Sequence, residues 1–190
     1  MTRRVWLTLL SLMLVLSVLA GCATPAQETK KAEPAPAEPA KAEAKVTRYP
    51  LTLKDALGRE VTIREEPKRI LSAAPSNTEL VYALGKGGAL VGRTDFCDFP
   101  AEAASVPSIG GFYPPNYEMI VATKPDLVLM IQGTDEAREK LANEYGLTVF
   151  VVSPQNFEQV YSSIQTLGTV LNAQEAADKL VADMQKQVRE

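Results

Sequence analysis

Three short stretches of this chain carry the side chains able to do chemistry. The first is Ala74-Pro75-Ser76-Asn77, which runs on into Thr78-Glu79. The second is Arg93-Thr94-Asp95-Phe96-Cys97-Asp98-Phe99-Pro100, and the third is Gly110-Gly111-Phe112-Tyr113-Pro114-Pro115. Their chemistry is contact, not bond making. Asp95 and Asp98 stand three apart, but no nucleophile or metal-binding cluster accompanies them. They read as loop caps or as hydrogen-bond acceptors for a ligand. The chain has no histidine, which removes a Ser-His-Asp triad, a histidine-bound zinc and a histidine-ligated haem. Tyr113 could still ligate iron. The expectation is a binding protein, not an enzyme, with no metal site of its own.

Contact chemistry points to something large and flat. The chain holds 5 phenylalanines and 6 tyrosines, and four of these, Phe96, Phe99, Phe112 and Tyr113, fall in the second and third stretches. Such rings stack on a flat ligand and bury much surface as they do so. Gly110 and Gly111 let the backbone come close to it. Phe96, Phe112 and Tyr113 are expected to face the ligand, with Pro75 and Asn77 on the neighbouring loop. Phe99, beside Pro100, is expected to anchor its loop to the core. Arg93, the cation nearest these loops, is also expected to contact the ligand, and Cys97 reads as a partly buried, inert thiol. A net charge of −3 gives no reason to expect nucleic acid.

Glu79 has two readings. Ser76-Asn77-Thr78-Glu79 fits a capping box, with Ser76 as N-cap and Glu79 reaching back to its N–H. Alternatively, Glu79 is an exposed carboxylate kept for a partner.

The elements that must position these residues alternate. Residues 49–63 read as a hairpin turning at 55–58. A strand at 69–73 precedes a helix at about 77–84, which Gly85, Gly87 and Gly88 end. A second strand follows at 89–92. GKGGALVG superficially matches a phosphate loop, but it follows a helix, so it reads as a C-cap and turn. Residues 117–123 fit a short helix, 126–131 a buried strand, 135–145 a helix and 148–152 another buried strand. Phe157, Val160, Tyr161, Ile164, Leu167 and Leu171 mark one helical face. Continuous apolar strands alternating with helices predict an α/β fold, a parallel sheet flanked by helices. Residues 173–190 form an amphipathic helix, with a capping box offered by Asn172 and Glu175.

The N-terminus is organised differently. Arg3 and Arg4 precede an apolar stretch at 5–19, short for a membrane span. Leu19-Ala20-Gly21-Cys22 resembles the lipobox of bacterial lipoproteins. That resemblance implies a leader at 1–21, cleavage before Cys22, and lipidation of its thiol. Residues 22–45, rich in Ala, Pro, Glu and Lys, read as a semi-rigid tether. The lobe then occupies 46–172.

RILSAAPSNTELVYALG, LVGRTDFCDFP and PSIGGFYPPNYEMIVATKPDLVLM together resemble the N-terminal lobe of the substrate-binding proteins of ABC importers for cobalamin, ferric siderophores and haem. Cobalamin-binding members are the nearest likeness. The resemblance implies a class III periplasmic-binding-protein-like lobe. A metal chelate, cobalamin or a related corrinoid, would sit between two lobes joined by a long helix. Residues 173–190 would be the start of that helix, with the second lobe absent. Glu79 would pair with arginines of the ABC permease. The protein would be lipid-anchored and extracytoplasmic, periplasmic or on the outer face of the cytoplasmic membrane. A ferric siderophore or haem is the alternative ligand, and a single-lobe lipoprotein that docks to proteins is the alternative role.

Overall fold

Two strands of period-two alternation open the fold. The structure, a computed structural model, describes residues 45–111 and 113–189. The leader, Cys22, the tether up to residue 44, and Phe112 lie outside the described residues. Strands β1 (Leu51–Lys54) and β2 (Glu60–Ile63) pair antiparallel, Leu51 opposite Ile63 and Lys54 opposite Glu60. Val61 and Ile63 turn inward while Glu60 and Thr62 face solvent. The buried Asp55 carboxylate sets the turn, accepting from the N–H groups of Leu57 at 3.0 Å and Arg59 at 3.1 Å and pairing with the Arg59 guanidinium. The Ala56 N–H donates to the Val151 carbonyl at 3.0 Å and stitches this turn to the sheet.

The sheet is made of β3 (Ile70–Ser72), β4 (Leu90–Arg93), β5 (Leu127–Met130) and β6 (Val149–Val151), in spatial order β4-β3-β5-β6 and parallel throughout. The connecting helices are α1 (Pro75–Ala83), α2 (Tyr117–Ala122) and α3 (Asp135–Asn143); α4 (Phe157–Val170) and α5 (Gln174–Arg189) follow. The α/β class predicted above is the class observed.

Buried strands alternate between two cores. Ile70, Leu127, Leu129, Phe150 and Val152 pack with Val81 of α1, Ile164 and Leu167 of α4, Val181 of α5 and the hairpin. Leu71, Val128, Met130, Val149 and Val151 pack with Ile120 of α2 and Leu141 of α3. Burying each such side chain contributes about 1.5–3 kcal/mol. Helices α4 and α5 approach closely at Gly168, where a Cβ would lie 2.5 Å from that of Ala177. Phe157, expected on the apolar face of α4, is exposed at its first position.

The ends of α1 and α4 bear on the predictions. Gly85 follows its C-cap Leu84 with φ +72°, the left-handed position that glycine fills most readily, so GKGGALVG is the turn it was expected to be. Asn172 does not form the expected capping box with Glu175. It has φ 52°, ends α4, accepts from the Thr47 N–H at 2.9 Å, and donates to Glu66 at 3.3 Å. Glu66 also takes the ammonium groups of Lys68 and Lys86, which hold its carboxyl down at about 2.

Candidate functional site

In an open parallel sheet, ligands sit beyond the carboxyl ends of the strands, where helices on opposite faces diverge. The three stretches singled out from the sequence all lie along this edge. The structure builds them by different means.

The turn from β3 into α1 is latched from within. Pro75 occupies the first helical position after Ala74, where its fixed φ and missing N–H cost nothing. The Thr78 hydroxyl donates to Ser72 Oγ at 2.7 Å, and the Ser72 hydroxyl donates to the Ala74 carbonyl at 2.9 Å. Asn77 is fully buried, and its Nδ2 donates at 3.2 Å to the Met130 carbonyl at the end of β5. Its Oδ1 has no partner among the described residues. Asn77 therefore holds the turn beneath the surface and is not a ligand contact in this arrangement, contrary to the expectation. Pro75 is exposed at the rim.

The expected capping box is also absent. The helix starts one residue before Ser76, so Glu79 falls at its fifth position and no side chain caps the N-terminus. Glu79 is exposed, with no hydrogen-bond or ion-pair partner among the described residues.

The second and third stretches meet beside β4. Residues 107–110 run along that strand: the Ile109 N–H donates to the Arg93 carbonyl at 2.8 Å, and the Asp95 N–H to the Gly110 carbonyl at 3.0 Å. The Ser108 hydroxyl donates to the Asp95 carboxylate, so Asp95 acts as a loop brace. Cys97 is fully buried, its sulfur 3.1 Å from the Thr94 hydroxyl. With Cys97 turned in, the aromatics turn out: Phe96 is 64% exposed, Phe99 65% and Tyr113 71%. Phe99 does not anchor its loop. Cys97 does.

Arg93 departs from its expected role. Its guanidinium donates to the carbonyls of Ala103 at 2.7 Å, Thr94 at 2.9 Å and Ala104 at 3.4 Å. It is a pin for the turn at Ala101–Ser105, with most of its donors committed. Farther round, the Lys140 ammonium sits 4.5 Å over the Tyr117 ring, which stacks on Tyr145 at 5.9 Å. Burial raises the Tyr117 hydroxyl above the usual phenol range. Arg138 is held by Asp135 and Glu139. The cations close to the aromatic end of the edge are thus already engaged, while Asp98 stands exposed beside the rings.

Such an arrangement offers stacking surface and hydrogen-bond acceptors. Among the described residues no group of three or more His, Cys, Asp or Glu is placed to hold a metal ion. No described helix is long and apolar enough to cross a membrane.

Comparison with known proteins bears on the fold and the family. The family described as periplasmic binding protein matches residues 70–190. Over 184 residues the chain is 36% identical to the uncharacterized ABC transporter substrate-binding lipoprotein YvrC of Bacillus subtilis, covering 95% of this chain and 55% of that protein. It is 31% identical over 126 residues to the vitamin B12-binding protein of Pectobacterium atrosepticum, covering 65% of this chain and 45% of that one. The crystal structure of a periplasmic heme binding protein from Pseudomonas aeruginosa superposes with a TM-score of 0.61 at 27% identity, covering 65% of this chain and 45% of that one. The chain spans about half the length of the curated relatives it matches.

Proposed function

The chain belongs to the periplasmic binding protein family, and from that premise we propose that it is the capture lobe of an ABC importer's binding component, taking a corrinoid such as cobalamin. The observation that carries the reading is the outward turn of Phe96, Phe99 and Tyr113 at the carboxyl edge of the sheet, beside an arginine whose guanidinium is spent on backbone carbonyls. A corrin ring rimmed with neutral amides suits such a surface. It brings a broad face for the rings to cover and little charge to neutralise. Phe112 would join these contacts from its place between Gly111 and Tyr113, and Pro75 would meet the ligand at the rim.

The likeness to a vitamin B12-binding protein supports this choice. Haem is the second reading, favoured by the exposure of Tyr113 and by the likeness to a heme binding protein. Glu79, exposed near the start of α1 and without a partner among the described residues, would dock on arginines of the permease. Cys22 would carry a lipid anchor, as the name of the Bacillus relative suggests for that protein.

Titration of the native full-length protein with cyanocobalamin, haemin and a ferric hydroxamate tests the reading. Tightest binding to cyanocobalamin is expected. Binding of haemin or the ferric chelate with none of cyanocobalamin would overturn it.

A further inference from the structure

The edge has a second concavity, away from the aromatic loops. A basin of about 300 Å³ lies beside β6, walled by the end of β1 and the turn that follows it, the β5–α3 loop and one side of α4. Lys54, Gln132, Ser163 and Thr166 line it, and among the described residues none of these four side chains has a hydrogen-bond or ion-pair partner. Ser163 and Thr166 stand three apart on α4, so their hydroxyls share one helical face. The Lys54 ammonium is the cation of the basin, and it is exposed. The neighbouring Asp55 carboxylate does not compete for it, being buried and taken by Arg59 and backbone N–H groups.

The two ends of the edge therefore differ in kind. Rings crowd the β4 end, whereas an ammonium, two hydroxyls and an amide with no partner among the described residues gather at the β6 end. Strands β4 and β6 are separated by two others, about 14 Å at the ordinary strand spacing. A ligand that spanned both would have a broad apolar body and a polar arm.

Resting on the corrinoid reading above, we propose that the basin is a subsite for a ligand arm carrying one anionic group and hydroxyls, chemically a sugar joined to a phosphodiester. Lys54 pairs with the phosphate, Ser163 and Thr166 bond to phosphoryl or sugar oxygens, and Gln132 both donates and accepts. One ammonium answers one negative charge. A ligand with two carboxylates would leave the second without a partner here.

The test compares two corrinoids on the native full-length protein, both as dicyano forms so that their axial ligands match. Cobalamin carries the nucleotide arm and cobinamide lacks it. We expect cobalamin to bind about tenfold more tightly. The Lys54→Gln variant should bring the ratio of the two dissociation constants close to one. A Ser163→Ala, Thr166→Val pair should reduce it about threefold. Equal affinities in the native protein, or a ratio unmoved by Lys54→Gln, would remove the subsite while leaving the corrinoid reading intact. If neither corrinoid binds, the ligand reading fails and the subsite with it.

Discussion

The β3–α1 turn and the loops beside β4 lie on the same edge of one sheet, and they solve opposite problems. In the turn, polar side chains point inward. Ser72, Asn77 and Thr78 are buried, and their hydrogen bonds join β3, α1 and β5. In the loops, aromatic side chains point outward, while the small Cys97 fills the core. A buried polar group loses water and must be repaid by a partner, so the first region is specified by its hydrogen bonds. An exposed ring loses nothing in the folded protein alone, and its surface is free to be covered by something else. Polar inside and apolar outside, side by side, separate the part that holds shape from the part that makes contact.

The sharpest way to break this comparison is to remove the rings. The double variant Phe96→Ala, Tyr113→Ala should keep its unfolding free energy within about 0.5 kcal/mol per site, because exposed side chains contribute little to the fold. Its corrinoid affinity should fall by about tenfold to a hundredfold, the loss of two stacking contacts. Chemical denaturation and ligand titration on the same preparation read both quantities. A large stability loss with unchanged affinity would show that the rings belong to the fold.

The opposite variant lies in the β3–α1 turn. Asn77→Ala removes the bond to Met130 and leaves a small cavity under the edge. The Met130 carbonyl keeps its second donor, the Val152 N–H at 2.9 Å, so no backbone acceptor is orphaned. The cost should be about 1–2 kcal/mol, near the net worth of one buried hydrogen bond plus packing. Thermal or urea unfolding measures it. No loss of stability would mean that the inward polar groups of this turn do not hold it.

Much of this architecture was legible before the structure. Short, continuous apolar runs such as Leu127–Met130 and Val149–Val151 fit buried strands, and the alternation in Glu60–Ile63 fits a half-buried one. That the three stretches gather along one sheet edge was legible too, because aromatics and glycines concentrate in loops next to the strands. Side-chain direction was not legible. Phe99 and Cys97 lie two residues apart in an irregular loop, where no periodicity says which turns in. Arg93 looked available because nothing in its neighbourhood announces that the turn at Ala101–Ser105 will present carbonyls to it. The polar basin went unnoticed for a similar reason. Lys54, Gln132, Ser163 and Thr166 come from three distant segments, and only the spacing of Ser163 and Thr166 on one helix hinted at a shared face. Asn172 misled by chemistry: its amide suits a helix cap, but two partners from the N-terminal region claim it.

Glu79 follows the buried latch on the exposed side of α1, and only a small change in stability is expected from its replacement. Read as sequence, Ser76-Asn77-Thr78-Glu79 is a capping box. Pro75 prevents it, because a proline suits the first helical position and draws the helix start back to follow Ala74. Glu79 then lies two residues past the third helical position, from which a side chain reaches back to the N-cap backbone, and its carboxylate is left exposed. Replacing it by glutamine should change the unfolding free energy by no more than about 0.5 kcal/mol, as for an ordinary surface site. Ligand affinity should stay as it was, because the aromatic loops and the buried latch are untouched. Stimulation of the permease's ATPase should drop, since an amide cannot supply the charge that an arginine cluster recognises. Denaturation and ATPase assays on Glu79→Gln would decide the matter. A destabilised protein with full stimulation would return the glutamate to the fold, whereas a stable protein with weak stimulation would place it on the contact side of the edge.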